Sequence, residues 1–276
     1  MEPRDAATVM LVRDSPKLEV FMLRRSLRSV FVGGAYVFPG GAVDEDDRDP
    51  ALLALVDGVG SPDADARLGA PGALGFWVAA IRESFEEAGV LVARDRRTGD
   101  LAIGDGSTLA TARRRLIAGE ASFVDVVRDL DVVLDAGALA PVARWITPPG
   151  PPRRFDTWFF VAAAPDGHVY EHDDDETVAS TWLQPTDALE QARRGEIELI
   201  YPTFRSLQML TRFEHAIDVL DTVRTKWKDD EQPMVRATTG WGWMLDLPGG
   251  DDDEADAIAH STTDRRPSAR PAEASG

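Results

Sequence analysis

The sequence predicts an α/β fold in which strands alternate with amphipathic helices. Three observations support this prediction. Residues 6–12 and 18–23 are short apolar runs with many β-branched and aromatic side chains, as is typical of strands. Residues 155–164 form a longer run of the same kind, whose length and aromatic content suit a central strand. Residues 79–90 and 201–225 instead space their apolar side chains as amphipathic helices do.

The composition limits the classes of function that the chain can serve. Its 276 residues are 43% hydrophobic, enough for one full core in a domain with insertions or an appendage. The net charge of −18 argues against a protein that binds nucleic acid or a membrane surface, because such proteins cluster Lys and Arg. The chain has no cysteine, which excludes disulfides, thiolate metal sites and a cysteine nucleophile.

The expected setting is the reducing cytoplasm, which suits a chain without cysteine. The N-terminus lacks the apolar run of a signal peptide. No stretch approaches the ~18 consecutive apolar residues of a membrane-spanning helix. We therefore expect a cytoplasmic protein that is neither secreted nor embedded in a membrane.

The first two strands are predicted to form a hairpin, because the turn-prone residues Asp14, Ser15 and Pro16 separate them. Two arginines, Arg24 and Arg25, follow the second strand directly. They are either an ordinary solvated strand end or a basic contribution to a binding site.

A glycine-rich turn follows the hairpin. Residues 36–38 are predicted to form a short strand, and Pro39, Gly40 and Gly41 a tight turn. Glycines at such a turn supply positive φ and allow the backbone to approach a ligand closely.

Two segments are predicted insertions. Residues 44–75 are loop-rich, with a short helix over 51–56. A helix from about Gly75 to Gly89 and a strand over 90–93 follow. The second insertion spans about 94–137 and contains two predicted helices, at 108–118 and 123–134. Ser107 and Ser122 are their expected N-caps.

The C-terminal part returns to strands and then to helices. Residues 142–147 and 177–183 read as strands around the long central run. A helical extension is predicted over about 186–230, with Thr186 as the N-cap of its first helix. We expect residues 1–248 to form one domain and residues 249–276 a disordered acidic tail, because the tail is too polar to build a core.

The helix around AAIRESFEEAGV carries the strongest chemical signal. Ile81 and Phe85 lie on one apolar face, while Glu83, Glu86 and Glu87 cluster on the other side. The carboxylates repel one another, so a positive partner is expected. Carboxylate oxygens without any thiolate suit Mg²⁺ or Mn²⁺. Taken alone, however, three glutamates at this spacing are more often a solvated acidic face.

The motif as a whole resembles the second half of the Nudix box, GX5EX7REUXEEXGU. The matching positions are Arg82, Glu83, Glu86, Glu87, Gly89 and Val90. The first half departs from that pattern. Counted from Gly41, the box glutamate position holds Asp47, and 34 residues rather than seven separate it from Arg82. The role of Asp47 is therefore open, and Asp44, Glu45 or Asp46 are alternatives.

The resemblance extends over roughly residues 5–195 and implies the Nudix fold, a mixed β-sheet between helices. It also implies a hydrolase of phosphoanhydride bonds in nucleotide diphosphates. By resemblance, Glu83, Glu86 and Glu87 would hold one or more divalent ions, Mg²⁺ or Mn²⁺, with the backbone of Gly41 adding a carbonyl. Arg82 would orient the glutamates through a bidentate pair.

The sequence motif upstream of the box resembles that of the coenzyme A diphosphatases. The residues that fit its spacing are Arg25, Ser26, Gly34, Phe38, Pro39, Gly40 and Gly41, whereas Val30 holds the second arginine position. The two insertions and the run after Arg154 resemble the larger, peroxisomal-type acyl-CoA diphosphatases and their bacterial relatives. The implied products are 3′,5′-ADP and the (acyl-)4′-phosphopantetheine moiety.

The remaining candidate site residues can each also be explained without a role in function. Glu176, in an acidic turn, and Glu87 are the candidates for the general base. The candidates for substrate contact at the rim of the pocket are Arg24, Arg25, Arg153, Arg154 and the backbone of Gly40 and Gly41. Each arginine, taken alone, is more often just a surface residue.

Other functions remain open at this point. Within the family, the substrate could be NADH, ADP-ribose or a nucleoside triphosphate, because substrate-reading loops differ between relatives. A non-catalytic nucleotide-binding Nudix module is a different class, but such modules usually lose the glutamates. The isomerase branch uses a cysteine, and the acidic balance disfavours RNA decapping. The expected partner is a small nucleotide diphosphate, with no nucleic acid and no membrane, and the oligomeric state stays undetermined.

Overall fold

The computed structural model describes residues 2–26, 33–101, 106–166, 168, 170, 177–229, 233–237 and 240–247. Residues 1–246 form one compact unit. The strands are, in chain order, β1 (Arg4–Asp14), β2 (Leu18–Arg25), β3 (Tyr36–Val37), β4 (Gly40–Ala42), β5 (Val56–Asp57), β6 (Ala93–Asp95), β7 (Val132–Asp135), β8 (Ala140–Ile146), β9 (Phe155–Ala163), β10 (Thr177–Leu183), β11 (Met234–Arg236) and β12 (Gly242–Leu245).

The helices are, in chain order, α1 (Pro50–Leu53), α2 (Ser61–Leu68), α3 (Leu74–Ala88), α4 (Gly106–Ile117), α5 (Phe123–Asp129), α6 (Pro185–Arg193), α7 (Tyr201–Leu210) and α8 (Ala216–Asp229). A short 3₁₀ helix, Glu45–Arg48, follows β4. Among the helices in the described parts of the chain, none combines the length and the apolarity that crossing a bilayer requires. The predicted tail, 249–276, lies outside the described residues.

The main sheet is mixed, as predicted. Its strand order is β10-β2-β1-β9-β8-β12-β11, with β3 paired to β2 and β4 paired to β1. The central strand β9 runs parallel to β1 and antiparallel to β8. The predicted hairpin of β1 and β2 is confirmed by their antiparallel pairing.

Alternation along β1 buries both faces of this sheet. Ala7, Val9 and Leu11 belong to the core that α3 also joins, while Met10 and Val12 are buried on the opposite face. That second face is where α8 contacts β1, β8 and β9. The sheet therefore lies between helices, and its strands are apolar on both sides because neither side meets solvent.

The inserted segments build a small layer of their own against α3. They contribute α1, α2, α4 and α5 and a second sheet with strand order β5-β7-β6. The prediction of one helix over 123–134 is wrong, since α5 ends at Asp129 and Val132 begins β7. Asp131 has a left-handed φ of 51° between them, and β7 pairs with both β5 and β6, burying Leu134.

Three other boundary predictions need correction. The predicted helix over 51–56 ends at Leu53, and Val56 already belongs to β5. The strand predicted over 90–93 begins only at Ala93, where β6 pairs with β7. The single helix predicted over 201–225 is two helices, because α7 ends at Leu210 and α8 begins only at Ala216.

Of the three predicted N-caps, one is confirmed and two are wrong. Ser122 caps α5, where its Oγ accepts a hydrogen bond from the Asp125 N–H. Ser107 lies inside α4 instead. Thr186 is also inside its helix, because Pro185 takes the first helical position and Gln184 is the N-cap. The sequence patterns also missed the hairpin of β11 and β12.

The start of α8 depends on the other end of the chain. The Asp14 Oδ1 atom accepts a hydrogen bond of 2.8 Å from the Ala216 N–H, so the first hairpin caps this helix. We expect Asp14→Ala to lower the free energy of unfolding by about 1 kcal/mol, because that helical N–H loses its acceptor. Urea denaturation measures the change. Asp14→Asn keeps a side-chain oxygen, so an equal loss in both variants would contradict the capping role.

Candidate functional site

The helix α3 carries the site, and its limits follow from local sequence. Trp77, Ile81 and Phe85 repeat every four residues and are fully buried against the sheet. The Trp77 ring packs on Phe160 of β9, and its indole N–H donates to the Leu139 carbonyl. Gly89 ends the helix with a φ of 71°, as the sequence predicts.

The three glutamates of α3 are not a solvated acidic face. The side chains of Glu83 and Glu86 are only 13% and 26% exposed. Glu87 is 7% exposed. Burying three carboxylates on one helix costs free energy unless a positive charge or hydrogen bonds compensate them. The surroundings of these side chains supply part of that compensation.

The prediction of a tight turn over Pro39, Gly40 and Gly41 is wrong for both glycines, because they belong to β4 and pair with Thr8 and Ala7 of β1. This glycine strand lies directly against the glutamates. The Gly40 N–H donates a 2.8 Å hydrogen bond to Oε2 of Glu87. A Cβ atom on Gly41 would lie 2.3 Å from Oε1 of Glu83. The Glu83 carboxylate therefore occupies the space that a side chain at position 41 would need.

Arg82 is the cation at the centre of the site. Its Nη1 donates to Oε1 of Glu83 at 2.9 Å and to Oε2 of Glu86 at 3.3 Å. Its bidentate partner, however, is Asp47, reached through Nε at 2.8 Å and Nη2 at 2.9 Å. Nη2 also donates to the Ala42 carbonyl. The bidentate pair expected for Arg82 thus forms with Asp47 rather than with a glutamate of the helix.

Of the four acidic residues considered for the first glutamate position of the box, Asp47 is the one that hydrogen-bonds to Arg82. Asp47 is 1% exposed, and its Oδ2 also accepts from the Asp44 N–H at the start of the 3₁₀ helix. Asp44 is a weaker partner, with its carboxylate 3.7 Å from the arginine. Glu45 and Asp46 are exposed. The 34 intervening residues leave after Asp47 and return at α3, so Asp47 meets Arg82 in space despite the insertion.

The electrostatics of the site leave negative charge in excess. Burial raises the pKa of Glu83 to about 7, although Arg82 acts in the opposite direction. Burial also raises the pKa of Glu86. The Arg82 guanidinium donates hydrogen bonds to three carboxylates, those of Asp47, Glu83 and Glu86, so in these contacts one positive charge meets three carboxylates. An added cation would stabilise the charged form of these groups.

The donor set fits a hard divalent cation. It offers carboxylate oxygens without thiolates or imidazoles, which is the ligand chemistry that Mg²⁺ and Mn²⁺ prefer. Within the described ranges, no three acidic or histidine side chains converge as a ready-made metal cage. The reason is that Arg82 lies between Glu83 and Glu86 while Glu87 turns to Gly40. The fit thus rests on chemistry and charge.

The first pair of candidate arginines lies at the end of β2. Arg24 is exposed near the end of β2, opposite Tyr36 of β3. Arg25 exchanges backbone hydrogen bonds with Ala35 and Gly34, which closes the loop before the turn. In the chain, strand β3 lies between this pair and Gly40. The pair remains a candidate for substrate contact.

The second pair of candidate arginines lies at the start of β9. Arg153 is exposed, and Nε of Arg154 donates to the Thr147 carbonyl at 2.9 Å. Phe155, the residue after this pair, lies opposite Arg4 of β1, three residues before Ala7, so Phe155 is roughly 10 Å from Gly41 along the strand direction and the two arginines are further away. Glu176, the other candidate base, lies outside the described residues.

Comparison with known proteins identifies a family whose model matches this chain. A family model described as the NUDT19 Nudix domain matches residues 59–210, more than half of the chain. The chain is 30% identical over 296 aligned residues to a protein named acyl-coenzyme A diphosphatase NUDT19 from Gallus gallus, covering 89% of this chain and 78% of that protein. The protein of the same name from Homo sapiens is 31% identical, covering 72% of this chain and 62% of that protein.

A solved structure agrees with the sequence comparisons. The crystal structure of a NUDIX hydrolase from Alicyclobacillus acidocaldarius superposes with a TM-score of 0.67 at 27% identity. It covers 81% of this chain and 97% of that one. The chain spans only about three fifths of the length of the human relative.

Removing the Asp47 carboxylate should destabilise the whole unit. Asp47→Ala leaves the buried guanidinium of Arg82 without its bidentate partner, for which we expect a loss of about 3 kcal/mol in the free energy of unfolding. Urea denaturation gives the value. Asp46→Ala is the matched control, because that neighbouring carboxylate is exposed. Equal stabilities of the two variants would show that the pair contributes nothing.

Proposed function

Because this chain belongs to the family of NUDT19 Nudix domains, we propose that it hydrolyses the diphosphate bond of coenzyme A or an acyl-coenzyme A. The products are 3′,5′-ADP and the (acyl-)4′-phosphopantetheine moiety. The observation that carries the proposal is the similarity to two proteins named acyl-coenzyme A diphosphatase, at 30% and 31% identity. The buried carboxylate cluster beside Gly40 and Gly41 of β4 supports the same reaction class.

The cation is proposed to be Mg²⁺ or Mn²⁺, held by Glu83, Glu86 and Glu87 with the Gly41 carbonyl. When bound there, a divalent cation neutralises charge on the diphosphate and lowers the pKa of water. The protein's own part is to present the carboxylates. Arg82 holds Glu83 and Glu86 from one side, and the Gly40 N–H holds Glu87 from the other.

The reaction breaks one P–O bond of the anhydride and forms one P–O bond to the oxygen of water. The proton of that water passes to a general base, and the departing phosphate keeps the bonding electrons. Glu87 is one candidate base, with Oε2 fixed by Gly40. Glu176 is the other, on the sequence argument alone. Arg24, Arg25, Arg153 and Arg154 are proposed to meet substrate phosphates at the rim.

The glutamates should be essential for turnover and dispensable for folding. We expect Glu86→Gln and Glu87→Gln each to lower kcat roughly 100-fold or more, because losing a metal ligand costs more than losing a supporting partner. Circular dichroism should show an unchanged fold. Glu190→Gln makes the same chemical change on the exposed surface of α6 and should retain activity. Unchanged turnover in both site variants would rule out this assignment of the metal ligands.

The substrate is tested by a panel assay with mass detection. Purified protein with Mg²⁺ or Mn²⁺ is offered CoA, acyl-CoA, NADH, ADP-ribose and a nucleoside triphosphate. We expect the highest kcat/KM for CoA or an acyl-CoA. Faster cleavage of NADH or ADP-ribose would make the chain a Nudix hydrolase of another nucleotide. Nucleotide binding without cleavage of any member would indicate a non-catalytic module.

A further inference from the structure

In the last turn of α3, one backbone carbonyl accepts hydrogen bonds from a side chain outside the helix. The final carbonyls of a helix lack partners within it and must find them elsewhere. The Phe85 carbonyl accepts from the Gly89 N–H, and the Ser84 carbonyl accepts from the Val90 N–H. Because Val90 turns to Ser84, the carbonyl of Glu86 is left to a side chain, and that side chain is Arg113.

Arg113 lies on α4, in the second insertion. Its Nε and Nη2 donate to the single Glu86 carbonyl at 2.9 and 2.7 Å. Two donors of one planar guanidinium fix the direction of the carbonyl, which a lysine ammonium does not do. The positive charge also lies at the C-terminal end of α3, where the helix dipole favours a cation. No motif of the sequence singles out this arginine.

The clamped carbonyl belongs to the peptide that joins Glu86 to Glu87. Both side chains therefore leave the backbone on either side of the group that Arg113 holds. In the same turn, the Gly40 N–H donates a 2.8 Å hydrogen bond to the Glu87 carboxylate. The end of the helix is thus fixed from β4 and from α4 at once, and a helix end without such contacts frays.

We propose that Arg113 is a positioning residue, through which the second insertion sets the geometry of Glu86 and Glu87 toward the divalent cation. The inference rests on the proposed function for the identity of the cation site. It adds that an inserted helix outside the family motif contributes to metal affinity. Arg113 acts through the backbone of α3 and does not touch the substrate.

The test is Mn²⁺ binding without substrate, measured by electron paramagnetic resonance of the free ion. Arg113→Ala should weaken Mn²⁺ binding about 10-fold or more, the effect usual for partners that orient metal ligands. Arg113→Lys should restore part of the affinity, because it returns the charge but not the two-pronged geometry. With substrate, kcat at limiting metal should fall in both variants while KM for the substrate stays unchanged.

Arg115→Ala is the matched control. Arg115 lies two residues further along α4 and pairs with Asp129 of α5, so the variant loosens the inserted layer without touching α3. It should bind Mn²⁺ as the wild type does. If Arg113→Ala and Arg115→Ala lower the melting temperature equally and both bind Mn²⁺ normally, the role of Arg113 is structural and the proposal is overturned. Should Arg113→Ala not fold, Arg113→Lys and Arg113→Gln decide by the same measurement.

The two proposals fail separately. A wild-type protein that binds Mn²⁺ but cleaves neither CoA nor acyl-CoA would overturn the substrate while leaving the test of Arg113 valid. A wild-type protein that binds no Mn²⁺ would overturn the role of Arg113 together with the cation site.

Discussion

The buried guanidinium of Arg82 is the interaction on which the site depends. It joins α3, where it contacts the glutamates, to one stretch of chain 35 to 40 residues earlier that supplies the carbonyl of Ala42 and the carboxylate of Asp47. A buried charge is tolerated only when its hydrogen-bonding positions are filled, and here Asp47 fills two of them. Arg82 therefore ties β4 and Asp47 to the helix and brings together two parts of a motif that are separated in the sequence.

The same arrangement places one guanidinium against three carboxylates, those of Asp47, Glu83 and Glu86. Burial raises the pKa of Glu83 and Glu86. Glycine in β4 makes this crowding possible, because a side chain at position 41 would collide with Glu83. Buried carboxylates with shifted pKa values are common at functional sites.

The insertions enlarge the fold without disturbing its centre. The first departs just after Asp47 and returns at the start of α3, so the two halves of the box still meet. The second adds α4 and α5 and the strand β7, which completes a small sheet beside α3. Through Arg113 this added layer reaches the backbone of the glutamate helix itself.

Local sequence determined the features that depend on neighbouring residues alone. The extent of α3, its end at Gly89, the first hairpin and the cap at Ser122 all follow from side chains within a few positions of one another. Only the tertiary structure decided the partner of Arg82, the break before α8, the strand β7 and the hairpin of β11 and β12. Each of these depends on a contact between distant segments, such as Asp14 with Ala216 or β7 with β5. Helical periodicity cannot distinguish a final turn from a strand that finds its partners elsewhere in the fold.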